Sequence, residues 1–315
     1  TINVTLLGGG FGRKSKCDFA LEAAILSKAM GGTPIKVVWT REDDIQHAFY
    51  HSVSYQHVTA GLDKDGKVIA WRQRSVSPSL MSNFMPDPKR ESALELGLGL
   101  IDTPFNVPNL RLETGEAVSH TRIGWFRSVN NIPHAFAMQS MVAELAAEMG
   151  KDQKDYLLQM IGPARIVDPR KTVTSELWNY GDPFDTYPID TGRLANVVKL
   201  AAEKAGWGRK MEKGHGLGIA VQRSFLSYVA TVVEVAVDDK GNVSVPRVDT
   251  AIDCGFHVNP ERIASQVEGA AVMGLSIAKL TEITFKNGRV QQSNFNDYQV
   301  LRIGEGAMDV RTHIV

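Results

Sequence analysis

The chain has 315 residues, with 35 Lys+Arg against 35 Asp+Glu, a formal net charge of zero and a pI near 7.1. That balance argues against a protein whose main affinity is for nucleic acid or an anionic membrane, since neither polyanion would be attracted. The length suits one large or two ordinary domains, and hydrophobic residues at 43% are enough to build real cores. No run of about 18 uncharged apolar residues occurs, so no transmembrane helix is expected. Cys17 and Cys254 form no CxxC pair and supply neither an iron–sulfur framework nor a disulfide scaffold.

In chain order, Ile2 to Leu7 alternates apolar and polar residues as a half-buried strand does, and the glycine cluster Gly8-Gly9-Gly10-Phe11-Gly12 follows. Cys17 to Met30 has helical spacing and stops at Gly31-Gly32; Ile35 to Trp39 reads as a strand. Val53 to Leu62 and Lys67 to Ser75 predict a hairpin around Asp63-Lys64-Asp65-Gly66. Pro78 to Pro108 lacks periodicity and is expected to be a long functional or packing loop. Pro133 to Met149 reads as an amphipathic helix with Phe136, Met141, Leu145 and Met149 as its apolar markers, and Lys154 to Met160 as a short one. Pro163, Pro169, Pro183 and Pro188 then punctuate a polar stretch. Asp190-Thr191 caps a helix to Lys204, and strands follow over His215–Phe225, Val229–Val237 and Val243–Ile252. Pro260, at a helix start, precedes a long apolar helix over Arg262 to Lys279, Asn287-Gly288 turns a last hairpin, and Thr312 to Val315 is strand-like.

Hairpins interspersed with long helices indicate an α+β fold rather than a doubly wound sheet. Two mixed α/β lobes are expected, at residues 1–165 and 190–315, joined by a linker at 166–189. Both ends fall inside strand-like sequence, so both read as cuts in a longer polypeptide.

The glycine cluster is the strongest local motif. It misses the dinucleotide fingerprint, because Arg13 stands where a third glycine is needed. It misses a P-loop, because no glycine precedes Lys14. Backbone close approach to an oxyanion ligand at a helix start and a tight packing turn explain it equally well. Arg122 and Arg127 flank Gly124-Trp125-Phe126, an arrangement suited to an anion, although a solvated arginine beside core aromatics is the commoner case. Gln266, Glu268, Gly269 and Gly274 share one helix, where glycines cost about 1 kcal/mol each and call for a close backbone or a ligand. His47, His51 and His57 lack an HExxH pattern or nearby cysteines and are expected to face solvent or a polar seam. Glu305, in Gly304-Glu305-Gly306, is a weak candidate for a general base.

Taken together and in order, several segments carry a resemblance. They are Gly8-Gly9-Gly10-Phe11-Gly12-Arg13, Val37 to Asp44, Gly124 to Val129, Asp253-Cys254-Gly255 and Val258-Asn259-Pro260. To these are added Gln266-Val267-Glu268-Gly269, Gly274-Leu275-Ser276, Asn294 to Tyr298 and Leu301-Arg302. The chain resembles the molybdopterin-binding large subunit of the xanthine dehydrogenase/aldehyde oxidase family, most closely its isoquinoline 1-oxidoreductase beta-subunit and aldehyde dehydrogenase branch.

The resemblance implies a molybdenum hydroxylase that oxidises an aldehyde or N-heteroaromatic with water-derived oxygen. It implies molybdopterin, in its cytosine dinucleotide form, carrying molybdenum. It places Gly9, Gly10, Phe11, Gly12, Arg127, Gln266 and Gly269 at the cofactor. It also implies a separate iron–sulfur subunit and a cytochrome as electron acceptor, with no role for nucleic acid. The Gly-Glu-Pro-Gly catalytic glutamate of this branch is expected beyond Val315, so Glu305 does not inherit that role and the fragment alone is expected to be inactive. A Met-Gly-Gln-Gly segment is absent, Gln139 stands where an acidic residue is common, and Met273 replaces a common glutamine. The alternative is a non-catalytic binding or assembly module that keeps the fold without the cofactor. The residues do not decide between cytoplasm, periplasm and membrane surface.

Overall fold

A computed structural model describes residues 3–305 and 308–315. The first unit holds α1 (Asp18–Ala29), α2 (Arg41–His47), β1 (Tyr55–Leu62), β2 (Val68–Val76), α3 (Ala93–Leu96), β3 (Asn109–Thr114), α4 (Asn131–Glu148) and α5 (Gln153–Ile161). β1 and β2 pair antiparallel across the expected turn, and β3 adds in parallel to β2. After the two-residue pair β4 (Ile166–Val167) and β5 (Ile189–Asp190), the chain enters α6 (Thr191–Ala205). Then come β6 (His215–Ser224), β7 (Ser227–Val237), β8 (Val243–Asp253), α7 (Pro260–Lys279), the small hairpin β9 (Phe285–Lys286) and β10 (Arg289–Val290), and β11 (Asp309–Ile314). β6, β7 and β8 form an antiparallel meander, and β11 adds in parallel on the far side of β8. This is the α+β architecture the sequence indicates.

α6 is the central packing element. Leu194, Val197, Val198, Ala201, Ala202 and Ala205 recur every three or four residues and are all buried, a stripe that must face a hydrophobic partner. The partner is one face of the meander, where Tyr228, Ala230 and Val232 point inward from alternate positions of β7. The same core takes in Val142 of α4, Leu157 and Ile161 of α5 and Trp71 of β2, so it runs unbroken from the first sheet to the second. Each such side chain contributes roughly 1.5–3 kcal/mol on burial. Asp190 caps α6 through the backbone N–H groups of Gly192 and Arg193, and Gly206 ends it in the left-handed conformation.

The other face of β7 carries Val229, Thr231, Val233 and Val235, and no described helix lies directly on it. α4 and α7 stand at its two sides, leaving grooves of about 500 Å³ beside α4 and about 600 Å³ beside α7 that share these four residues. Phe136, expected on the buried face of α4, is exposed instead and lines the first groove. The buried face of α4 is His134, Met138, Val142 and Leu145. Two expected strands are corrected: residues 3–7 and 35–39 are not in strands, and Ile2 lies outside the described residues. Among the described residues no helix is long and apolar enough to cross a membrane.

This packing can be tested at two buried polar groups. The Tyr228 hydroxyl, fully buried, accepts from Asp190 N at 2.8 Å and donates to Pro188 O at 3.0 Å. Tyr228→Phe leaves both backbone groups without that partner and is expected to cost about 1–3 kcal/mol in urea unfolding; a loss below about 0.5 kcal/mol, the size of an ordinary surface change, contradicts this tie. The second group is Asp102, whose carboxyl burial pushes up to about 6 although Arg223 lies 3.8 Å away. The folded state therefore binds more protons than the unfolded state between pH 3.8 and about 6. This contribution to stability is full at low pH and is lost as pH rises through that window. Asp102→Asn should abolish a stability gain on the order of 2 kcal/mol between about pH 6.5 and about pH 4, read as the wild-type-minus-variant difference.

Candidate functional site

The glycine cluster is shaped by backbone-to-backbone packing. A Cβ on Gly12, which sits at φ +101°, would lie 2.2 Å from the carbonyl oxygen of Trp125 and 2.4 Å from its carbonyl carbon. Only glycine permits this approach. Phe11 takes a left-handed φ of 51°, and its carbonyl oxygen accepts the Arg127 N–H at 2.9 Å. The cluster does not run directly into α1: a single 3₁₀ turn at Arg13–Ser15 intervenes, and α1 starts at Asp18. The loop is thereby strapped to the segment 125–127, with the Phe11 ring itself exposed.

Arg127 is the hub. Its guanidinium lies 5.8 Å from the Phe11 ring centroid, and its Nη2 donates to Gln266 Oε1 at 3.1 Å, linking residues 139 apart in sequence. Gln266 sits in the second turn of α7, whose start is set by Pro260 and by Asn259 accepting from Arg262 N. Arg127 and Gln266 also edge the larger groove beside α7. Gly269 lies one turn further along α7, and a Cβ there or on Gly274 would meet nothing within 4 Å. Close helix packing therefore does not explain these glycines; they leave open space, and Gly274 lines the groove. The structure thus gathers Phe11, Gly12, Arg127 and Gln266 at one place, with Gly9 and Gly10 in the same loop and Gly269 on the same helix as Gln266.

Behind Arg127 the chain turns through Ser128 and Val129, both with positive φ, into α4. His51 Nε2 lies 3.2 Å from Val129 O, and the imidazole meets the Phe126 ring edge-on. Asn130 then donates to the buried Glu91 at 2.7 Å, and Ser75 Oγ donates to the other Glu91 oxygen at 2.7 Å. His134 completes the layer, with Nε2 3.1 Å from Ser75 Oγ and Nδ1 2.9 Å from Leu98 O. Burial pushes the Glu91 carboxyl up to about 7 and holds the His134 imidazole down at about 4. This polar layer supports the turn after Arg127, and sequence reading missed it. The sequence signal closest to it belongs to a neighbouring feature: Ser92-x-x-Glu95, next to Glu91, is a capping box, and both reciprocal bonds form at α3.

Other sequence candidates lie elsewhere. His47 Nδ1 is 3.1 Å from Asp43 O within α2, and Glu305 accepts from Arg302 N on an exposed loop whose next residue, Gly306, lies outside the described residues. Among the described residues no group of three His, Cys, Asp or Glu side chains could hold a metal ion. Several motif residues prove to be structural ties. Asp253 clasps Arg193 of α6 with contacts of 2.7 and 2.5 Å. Glu42 accepts from Asn294 at 2.6 Å, joining the first turn of α2 to the loop after β10.

Two models described as molybdopterin cofactor-binding domain match residues 1–157 and 178–306. The chain is 28% identical to the isoquinoline 1-oxidoreductase beta chain of Brevundimonas diminuta, over 97% of this chain and 36% of that protein. It is 29% identical to a membrane-bound aldehyde dehydrogenase [pyrroloquinoline-quinone] of Gluconacetobacter polyoxogenes, over 95% of this chain and 39% of that one. It therefore spans under two fifths of the length of these relatives. The fold is similar to quinoline 2-oxidoreductase from Pseudomonas putida 86, with TM-score 0.75 and 13% identity over 98% of this chain and 61% of that one. CO dehydrogenase from Oligotropha carboxidovorans gives TM-score 0.74 at 12% identity, over 98% of this chain and 60% of that one. With adjacent matches accounting for both halves of its length, the chain belongs to the molybdopterin cofactor-binding domain family.

Proposed function

We propose that these residues are the cofactor-holding part of a molybdenum hydroxylase large subunit that oxidises an aldehyde or an N-heteroaromatic ring. The observation that carries this reading is the convergence of Phe11, Gly12, Arg127 and Gln266, the last two at the edge of a groove of about 600 Å³. The donor set suits the group: a guanidinium and an amide for polar pterin edges and phosphate, and a glycine loop that brings the backbone close. Gly9, Gly10 and Gly269 belong to the same proposed cradle. When bound, molybdopterin supplies the molybdenum and hence the two-electron redox chemistry.

The chain's own contribution is binding and orientation. Phe11 O fixes the Arg127 backbone, Gln266 fixes its guanidinium, and the Glu91–Ser75–His134 layer holds the turn that follows. The first two carboxylates after the loop in sequence are committed elsewhere: Asp18 pairs with Arg13, and Glu22 accepts from the Trp39 indole. No general base is assigned among them. We further propose the cytosine dinucleotide form of the cofactor, a separate iron–sulfur subunit and a cytochrome acceptor. That the isoquinoline 1-oxidoreductase relative is named as a beta chain supports partner chains in general. Two lobes at 1–165 and 190–315, with 166–189 between them, remain the proposed division.

The test is cofactor content. Purified within its full-length polypeptide from a molybdenum-replete host, the protein should carry about one molybdenum and one pterin per chain. Arg127→Ala removes a charge-assisted hydrogen-bond donor and should lower both at least about tenfold. A wild-type protein with neither metal nor pterin overturns the enzyme reading and leaves the binding module. Gly12→Ala should lose cofactor and also cost on the order of 3 kcal/mol of stability, because the Cβ meets backbone that cannot yield; an unchanged melting temperature contradicts the strap.

A further inference from the structure

A line of polar side chains runs from β2 to the turn after Arg127, and its hydrogens can be counted. The Trp71 indole can only donate, and it donates to Gln73 Oε1 at 3.2 Å. That fixes the Gln73 amide, whose Nε2 donates to Gln56 Oε1 at 2.9 Å; Gln56 Nε2 in turn donates to Ser75 Oγ at 2.7 Å. Ser75 Oγ therefore accepts from Gln56 and has one hydrogen to give. Two atoms claim it: Glu91 Oε2 at 2.7 Å and His134 Nε2 at 3.1 Å. The other imidazole nitrogen is settled. Leu98 O can only accept, so His134 Nδ1 carries a hydrogen toward it at 2.9 Å.

With Glu91 ionised and His134 neutral, both are acceptors, and one of them is left facing a lone pair of Ser75. A buried acceptor without a donor is costly. One further proton satisfies all three groups. On the carboxyl, Glu91 donates to Ser75 and Ser75 donates to His134; on the imidazole, both bonds reverse. Burial favours the carboxyl. Both side chains are fully buried, and as an ion pair their charges would be desolvated while standing 3.8 Å apart. Burial accordingly raises the Glu91 carboxyl from its ordinary 4.5 to about 7 and lowers the His134 imidazole from 6.5 to about 4. Glu95 on α3 faces Glu91 as well, and its charge opposes ionisation further. Lys89 and Arg90, on the same segment as Glu91, pair with Asp87 and Glu116 at the surface. Among the described residues no cation other than a protonated His134 comes within ion-pair distance of Glu91.

We propose that Glu91 is a positioning residue that works as a neutral acid, its retained proton keeping Asn130 and the strained turn before it in the form that aims Arg127. This rests on the cofactor reading, since Arg127 is the group being aimed. Asn130 Nδ2 donates to Glu91 Oε1 at 2.7 Å, and Ser128 and Val129, both at positive φ, lie between Asn130 and Arg127. When the proton leaves, a carboxylate stands buried without a cation, and Ser75 has two acceptors for one hydrogen. Relief requires Glu91 to move, and Asn130 moves with it. Between pH 4.5 and about 7 the folded state binds this proton and the unfolded chain does not. The Glu91 contribution to stability is therefore full at low pH and lost as pH rises through about 7.

Glu91→Gln and Glu91→Ala in the full-length polypeptide test this. Glutamine copies the neutral acid: its amide nitrogen donates to Ser75 and its oxygen accepts from Asn130. The infrared difference between wild type and Glu91→Gln should contain a protonated-carboxyl band that disappears as pH rises through about 7. Amide hydrogen exchange over residues 125–134, corrected for its intrinsic pH dependence, should speed up across that range in the wild type and not in Glu91→Gln. After dialysis at about pH 9, the wild type should keep at least about tenfold less molybdenum and pterin than at about pH 6. Glu91→Gln should keep both at either pH, and Glu91→Ala should lose them at either. A Glu91→Gln protein that behaves like Glu91→Ala, or that keeps the wild-type pH dependence, overturns the proposal. So does a wild type without the titrating carboxyl band. A wild type with neither metal nor pterin sinks the cofactor reading alone, and the infrared and exchange results still decide the role of Glu91 in the turn.

Discussion

The close approach of Gly12 to the Trp125 carbonyl is the contact on which the site depends. A Cβ would stand 2.2 Å from that oxygen, so the glycine loop and the segment 125–127 can pack only while position 12 has no side chain. From this single contact the rest is placed in turn. Phe11 O receives Arg127 N, the Arg127 side chain lies over Phe11, and its far end reaches Gln266 on α7. The strap therefore joins the glycine loop to a helix in the other half of the sequence.

That arrangement is affordable because the scaffold is held independently. α6 seals one face of the meander with a continuous apolar stripe, and Asp253 clamps Arg193 to fix the end of β8, from which the chain leads into α7. His313 of β11 contacts the buried Asp249 of β8, which fastens the two strands, while Arg247 pairs with Asp249 within β8. The turn after Arg127 contains two consecutive positive-φ residues without glycine, a conformation that costs free energy and persists only when neighbours impose it. His51, Glu91, Ser75 and His134 supply that constraint from β2, α4 and the segments beside them.

Much of the scaffold was legible in the sequence, because long periodic segments report their own burial. α6, α7 and the β6–β7–β8 meander stand within a few residues of their expected limits. Residues 3–7 and 35–39 have strand-like alternation but no strand partner among the described residues, since alternation marks a compatible face and not a neighbour. Phe136 misled for a related reason: helical spacing places it on a face, but that face borders an open groove. The glycine loop and Arg127 were legible as motifs, whereas their contact was not, because it is made by backbone atoms far apart in sequence. Glu91 and Asp102 were hidden in an aperiodic stretch, where burial leaves no pattern to read; only Glu95 carried a signal there, through its capping box with Ser92.

In the proposed arrangement the glycine loop, Arg127 and Gln266 enclose one cofactor position. The most direct measurement is anomalous scattering at the molybdenum edge from crystals of the cofactor-loaded protein. A single anomalous peak with pterin density reaching Phe11, Arg127 and Gln266 is the expected result. Pterin density bound away from all three residues, with the Arg127–Gln266 contact intact and facing only solvent, would contradict the account.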